Sequence, residues 1–358
     1  MTSIAHNPEN DMPDAEKDAI LYPASDAFHE GTLDVGDGHV IAYQEYGKKD
    51  GIPIVYLHGG PGAGCAPYFH RFFDPEVFHI ITYDQRAAPL SSPEAFRQDG
   101  NPIHLIENNT PAHLVEDNEK LRLHLGIDKW HLFGGSWGST LALMYAEKYP
   151  EHTESMTLRG VFMMREKELD WYLNKMGTFF PEVYKEFIDF LKPEERDNVI
   201  EAYYQRLTNP DPAIHLPAAA AWTRFENGCA FLEIPPDSVR NDPPEKALPF
   251  ALIEVYFMRN FMPDDGIMQN VDKIKHIPTH IVQGRHDNVC PPMSAFDLSQ
   301  KLSNCTVEFV TQSGHSGSMP DTMKGLVAAT DRIRDTGSPV DKKAAAPAPS
   351  VTAKPKGP

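Results

Sequence analysis

Cationic side chains are in short supply: 33 Lys and Arg stand against 51 Asp and Glu in 358 residues, a formal net charge of −18 at pH 7. A surface of that sign repels other polyanions, so neither nucleic acid nor an anionic membrane is an expected partner. Cysteine is scarce too, with Cys65, Cys229, Cys290 and Cys305 as the full set. Their spacing offers no paired metal ligands and no disulfide framework, so no metal is expected and a reducing, cytoplasmic setting is the default. No apolar run reaches the ~18 residues needed for a transmembrane helix. The segment Met1 to Asp18 is polar and acidic, without the apolar centre of a secretory signal. The chain also lacks internal repeats and both common phosphate-binding glycine patterns, G-x-x-x-x-G-K-[ST] and G-x-G-x-x-G, so no nucleotide cofactor is expected. Oligomeric state has no signature in the sequence.

What remains is a soluble globular composition, 41% hydrophobic and 23% charged, long enough for one large α/β domain with an insertion. Residues 29–48 alternate apolar and polar around Gly36-Asp37-Gly38, the pattern of an antiparallel hairpin. The apolar runs Pro53–Leu57, Phe78–Tyr83 and Trp130–Phe133 read as buried strands and Glu154–Leu158 as one more short strand, separated by helical stretches such as Pro111–Leu125. Strand–helix alternation predicts a mostly parallel sheet flanked by helices. From residue 161 to 270 the strand pattern stops, and helix-like, aromatic-rich segments punctuated by proline take over: Glu166–Met176, Pro181–Leu191, Glu194–Leu207, Ala218–Phe231 and Ala247–Asn260. Strands return at Thr279–Gln283 and Thr306–Val310, before a last helix over Pro320–Arg334. The expected organisation is a disordered segment over 1–25, a first core portion over 26–160, a helical cap over 161–270, a second core portion over 271–336 and a disordered Ala/Pro/Lys tail over 337–358.

The chemistry is concentrated in Gly134-Gly135-Ser136-Trp137-Gly138. A G-x-S-x-G sequence between a strand and a helix is a nucleophile elbow: the turn is too tight for Cβ atoms beside the serine, and the hydroxyl stands at the N-terminus of the following helix. Asp287 and His315 each follow a strand pattern later in the chain, giving the order Ser, Asp, His. A serine hydroxyl attacks well only when a base removes its proton; His315 has the right pKa range, and Asp287 would fix its tautomer. The backbone N–H groups of Trp137 and Gly60, the latter from the loop His58-Gly59-Gly60-Pro61-Gly62, are the candidate oxyanion donors. Cys290, close to Asp287 in sequence, reads as a small buried hydrophobe.

These motifs, together with Asp84-Gln85-Arg86, Leu158-Arg159-Gly160-Val161-Phe162, Glu168-Leu169-Asp170-Trp171 and Gly314-His315-Ser316, resemble the proline iminopeptidases (prolyl aminopeptidases) from about residue 28 to 335. The resemblance implies an α/β-hydrolase core with a helical cap, no cofactor, and release of N-terminal proline from peptides. It also implies that Glu226, in Trp222-Thr223-Arg224-Phe225-Glu226, and Glu254, in Ile253-Glu254-Val255-Tyr256-Phe257, anchor the substrate amine, with Phe225 and Tyr256 packing on the pyrrolidine ring or serving as cap core. The chain departs from the family pattern at Ala87-Ala88-Pro89-Leu90, where glycines are usual; this implies a different turn near the substrate mouth. It departs also at Phe225 and at Leu252. An ester, lactone or amide of a small metabolite is therefore the alternative substrate class for the same triad. A non-catalytic binding protein finds no support in a complete triad.

Overall fold

The computed structural model describes residues 17–263 and 265–340. Its centre is one 8-stranded sheet in the order β1-β2-β4-β3-β5-β6-β7-β8. The strands are β1 (His29–Gly36), β2 (His39–Gly47), β3 (Ile52–Leu57), β4 (Phe78–Tyr83), β5 (Trp130–Gly135), β6 (Thr153–Arg159), β7 (Thr279–Gly284) and β8 (Cys305–Val310). Only β2 runs against the others, pairing antiparallel with both β1 and β4. The remaining pairings, from β4 through to β8, are parallel.

Position in the sheet explains the sequence patterns. β4, β5 and β7 are buried at every residue, which is why they read as unbroken apolar runs. β1 and β8 lie at the edges and alternate in exposure. The helices α1 (Pro111–His124), with Thr110 as a side-chain cap, and α2 (Trp137–Lys148) fill crossovers between parallel strands.

Between β6 and β7 the described residues form helices and no strand. After a short helix at Glu166–Asp170 come α3 (Pro181–Asp189), α4 (Val199–Leu207), α5 (Pro212–Cys229) and α6 (Pro244–Asn260). The last two start earlier than the sequence suggests, running through Pro217 and Pro249. A proline in the second turn loses a backbone hydrogen bond and crowds the preceding carbonyl, costing about 3 kcal/mol. Burial of Ala218, Ala219 and Trp222 on α5, and of Leu248, Ala251 and Leu252 on α6, offsets that. This insertion has its own aromatic centre: Phe187 stacks on Phe225 at 4.2 Å and on Tyr203 at 4.8 Å between ring centroids. The chain then returns through β7, α7 (Pro292–Ser299) and β8 to α8 (Pro320–Thr336).

The segment 1–25 was expected to be disordered as a whole, but its last part is docked on the core. Leu21 is buried, the Tyr22 N–H donates to the Arg71 carbonyl at 2.9 Å, and the Arg71 side chain donates to the Tyr22 carbonyl at 2.7 Å. Polar composition concealed the one apolar anchor. At the other end Gly337 closes α8 with φ 73 and Val340 is buried; the rest of the predicted tail, and residues 1–16, lie outside the described residues. No helix among the described residues is long and apolar enough to cross a membrane.

Candidate active site

Ser136 occupies the sharp turn between β5 and α2 with φ 57 and ψ −129. A non-glycine residue held at positive φ costs roughly 1–3 kcal/mol and needs surroundings that enforce it. Here the Ser136 N–H donates to the Arg159 carbonyl on the neighbouring strand at 2.9 Å, and the Ser139 hydroxyl donates to the Ser136 carbonyl at 2.7 Å. The flanking glycines are required by space. A Cβ on Gly134 would overlap the Gly138 carbonyl, and one on Gly138 would overlap the Leu57 carbonyl.

His315 and Asp287 reach the same point from the ends of β8 and β7. His315 Nε2 lies 3.1 Å from Ser136 Oγ, and Nδ1 lies 3.0 Å from each Asp287 oxygen. With Nδ1 protonated toward the carboxylate, Nε2 is the free base facing the hydroxyl. The backbone N–H of Cys290 donates to Asp287 Oδ1 at 2.7 Å and Gln283 Nε2 donates to Oδ2 at 3.0 Å, so both carboxylate oxygens are held. The histidine loop is tied to the helical insertion: the N–H groups of His315 and Ser316 both donate to the Ala230 carbonyl, at 2.8 and 2.9 Å. Gly160, at φ 52, leaves room for the imidazole, since a Cβ there would sit 2.9 Å from His315 Cε1.

The two glycine-rich loops lock together beside the nucleophile. His58 is neutral and structural: its Nε2 accepts the Gln85 N–H and its Nδ1 donates to the Gly59 carbonyl, both at 2.9 Å, and burial pulls its pKa down. Gln85 in turn accepts from the Trp137 indole at 2.9 Å. Arg86 is buried and pairs with Asp117 at 2.5 Å, anchoring the loop to α1. Trp137 opens α2, where backbone N–H groups lack intrahelical acceptors. Gly60 and Trp137 border the same cavity as Ser136.

That cavity is narrow, and Phe162, Met164, Tyr172, Phe257, Met258 and Val289 make it chiefly apolar. Glu254 reaches into it. The Glu254 carboxylate accepts from the Trp222 indole at 2.6 Å, and Glu226 accepts from the Tyr172 hydroxyl at 3.0 Å. Both glutamates are buried, at 5% and 7% exposure. Burial, then the neighbouring charge of Glu226, pushes the Glu254 carboxyl well above the ordinary carboxylate range. Burial raises Glu226 as well, with His315 pulling it the other way.

Of the two roles open to Phe225 and Tyr256, their contacts fit cap core. Neither Phe225 nor Tyr256 borders the cavity. Phe225 points into the insertion core against Phe187, and Tyr256 packs on Phe261 at 5.5 Å. Helical periodicity is the reason: from Glu254, the positions one turn on are Phe257 and Met258, and these do border the cavity, whereas Tyr256 lies on another face. The signal for Phe257 and Met258 was therefore present in the spacing. Tyr172, the partner of Glu226, comes from the segment 171–175 and had no local signal, and Trp222 crosses from α5 to bond Glu254 on α6 rather than its own motif's Glu226. Cys290 borders the cavity, but burial holds its thiol well above the usual range, so it is a poor thiolate. Ala87 takes φ 62, the left-handed conformation glycine adopts more easily. Pro89 and Leu90 line a separate surface hollow rather than the cavity at Ser136.

A second, more open cleft of ≈ 1170 Å³ lies on the other side of Ser136, bordered by His315, Arg159, Glu226 and an aromatic wall that includes Tyr56, Phe69 and Phe133. The nucleophile thus borders both a narrow cavity and a wider, more open cleft.

A family model described as the alpha/beta hydrolase fold matches residues 52–322. The chain is 42% identical over 320 residues to a proline iminopeptidase of Arabidopsis thaliana, spanning 88% of this chain and 82% of that one. It is 40% identical over 316 residues to a proline iminopeptidase of Xylella fastidiosa, spanning 87% and 98%. Among solved structures, an alpha/beta hydrolase from a Medee basin deep-sea metagenome library superposes with a TM-score of 0.54 at 18% identity, covering 84% of this chain and 97% of that one; this likeness speaks to the fold.

Proposed function

The chain belongs to the proline iminopeptidase family of α/β-hydrolases, and on that premise we propose that it releases N-terminal proline from peptides by acyl transfer through Ser136, His315 and Asp287. The observation that carries the proposal is the placement of a buried, hydrogen-bonded carboxyl group, Glu254, in the same narrow cavity as the nucleophile. A narrow apolar pocket with an acidic group on its wall fits a chain terminus bearing a cationic amine.

In this reading the pyrrolidine ring lies among Phe257, Met258 and Tyr172, and its ammonium meets Glu254 and Glu226. Ser136 Oγ then attacks the carbonyl carbon as His315 Nε2 takes the hydroxyl proton. The oxyanion faces the N–H groups of Gly60 and Trp137, positioned before reaction. His315 hands its proton to the departing amine, which leaves through the open cleft. Water enters by the same route, gives a proton to His315 as its oxygen attacks the acyl carbon, and His315 returns that proton to Ser136 Oγ as the acyl–oxygen bond breaks and proline is freed. Asp287 stays ionised and stabilises the imidazolium. The helical insertion, expected over 161–270, acts as the cap that limits substrate to one residue on the acyl side. The cysteines are free among the described residues, which supports a reducing, cytoplasmic setting.

Steady-state turnover of a panel of aminoacyl-arylamides and neutral acyl esters tests the proposal. Proline arylamide should be the best substrate. Good turnover of neutral esters with none of free-amine proline substrates would instead select the ester or lactone reading.

A further inference from the structure

Arg159 ends β6 beside the nucleophile, and its guanidinium has donors to spare. One of them, on Nη1, goes to the His315 carbonyl at 2.6 Å. The rest have no protein acceptor among the described residues, and no carboxylate there lies within ion-pair distance. Its position is narrowly fixed: a Cβ on Gly135, the residue before Ser136, would lie 2.5 Å from Nη2, and one on Gly317 would lie 3.1 Å from Nε. Glycine at both places gives the guanidinium its room. The side chain is partly exposed and borders the open cleft, not the narrow cavity that holds Glu254.

An unpaired arginine facing a cleft presents a rigid fork of donors suited to a carboxylate. Consecutive Cα atoms are about 3.8 Å apart, so the carboxylate of a leaving group one or two residues long ends roughly 4–7 Å beyond the scissile carbonyl. Arg159 stands one residue from the nucleophile on that side. We propose that Arg159 binds the free C-terminal carboxylate of short peptides, making the enzyme selective for di- and tripeptides over longer or C-terminally blocked ones. The aromatic wall formed by Tyr56, Phe69 and Phe133 would receive an apolar side chain on the departing residue. Charge is then read at both ends of the substrate: carboxylates at the amine, a guanidinium at the acid. This rests on the aminopeptidase reading above.

The test compares kcat/KM for the dipeptide Pro-Phe, its C-terminal amide and proline arylamide, in the wild type, Arg159→Met and Arg159→Lys. The wild type should prefer the free acid to the amide by about tenfold, the size of a charge-assisted hydrogen bond. Arg159→Met should bring that ratio close to one, and Arg159→Lys should retain part of it. An acid-to-amide ratio near one in the wild type, or one that Arg159→Met leaves unchanged while lowering both rates, overturns the proposal; in the second case the guanidinium acts only through the His315 carbonyl. Turnover of proline arylamide by the wild type keeps the aminopeptidase reading standing in either event, and its absence removes both.

Discussion

The carboxyl groups of Glu226 and Glu254, one from α5 and one from α6, are both buried near Ser136, Glu254 bordering the narrow cavity and Glu226 the open cleft, and each accepts one hydrogen bond, from Tyr172 to Glu226 and from Trp222 to Glu254. Two buried carboxylates cannot both ionise cheaply: burial raises both carboxyls, and the charge of Glu226 raises Glu254 further, which favours one proton held by the pair. The pair with one proton bears a single negative charge, which matches the single positive charge of an N-terminal amine.

Glu254→Gln should therefore act on substrate charge, not on the chemistry. Truncating one partner of a buried charge pair costs about 2–5 kcal/mol, so kcat/KM for proline arylamide should fall by roughly 30-fold or more. Hydrolysis of a small neutral ester should change far less. An equal fall for both substrates would mean that Glu254 supports the site only structurally.

The same substitution should change how stability depends on pH. Folded Glu254 keeps its proton to higher pH than the unfolded chain, where its ordinary value is 4.5. Folding thus takes up a proton above that pH, and the contribution to stability declines as pH rises toward the folded-state value. Glutamine has no proton to lose. The melting temperature of Glu254→Gln relative to wild type should rise steadily between pH 5 and pH 8 (values roughly spanning this window), as followed by calorimetry. A pH-independent difference would contradict the shared-proton account.

Glycine substitutions separate space from conformation. Gly138→Ala places a methyl on the Leu57 carbonyl and should abolish activity and most of the folded yield. Gly126 has φ 67 and nothing within 4 Å of a Cβ, so Gly126→Ala should cost only about 1 kcal/mol of backbone strain in denaturant unfolding and leave turnover intact. Tolerance of Gly138→Ala would remove the argument for a tight elbow.

Much of the fold was legible because burial leaves a period in the sequence. β4, β5 and β7 read as apolar runs because both faces are covered, and the hairpin of β1 and β2 alternates because one face is not. The strand order is another matter: β3 sits between β4 and β5 through pairings remote in sequence. The nucleophile was legible because an elbow needs glycines at fixed offsets, and Asp287 and His315 because each follows a strand. What holds them was not. Gln283 and the Cys290 N–H lie within four residues of Asp287 but form no motif, and the Ala230 carbonyl acts on His315 across a long separation. Tyr172 on Glu226 carries no motif either, and Trp222, though in the motif with Glu226, bonds instead to Glu254 of α6. Phe225 and Tyr256 take the cap-core role of the two open to them, because the 100° step of a helix carries them off the faces that border the cavity. Arg159 went unremarked as a binding group because nothing about a strand-terminal arginine says whether it has a partner.

The central claim is that Ser136 is the nucleophile. Treating the protein with a fluorophosphonate and mapping the adduct by peptide mass spectrometry tests it most directly, with proline-arylamide turnover followed in parallel. The account predicts a single adduct on Ser136, loss of turnover in step with labelling, and neither labelling nor turnover in Ser136→Ala. Undiminished turnover by Ser136→Ala, or an adduct on another residue that alone tracks inactivation, would contradict it.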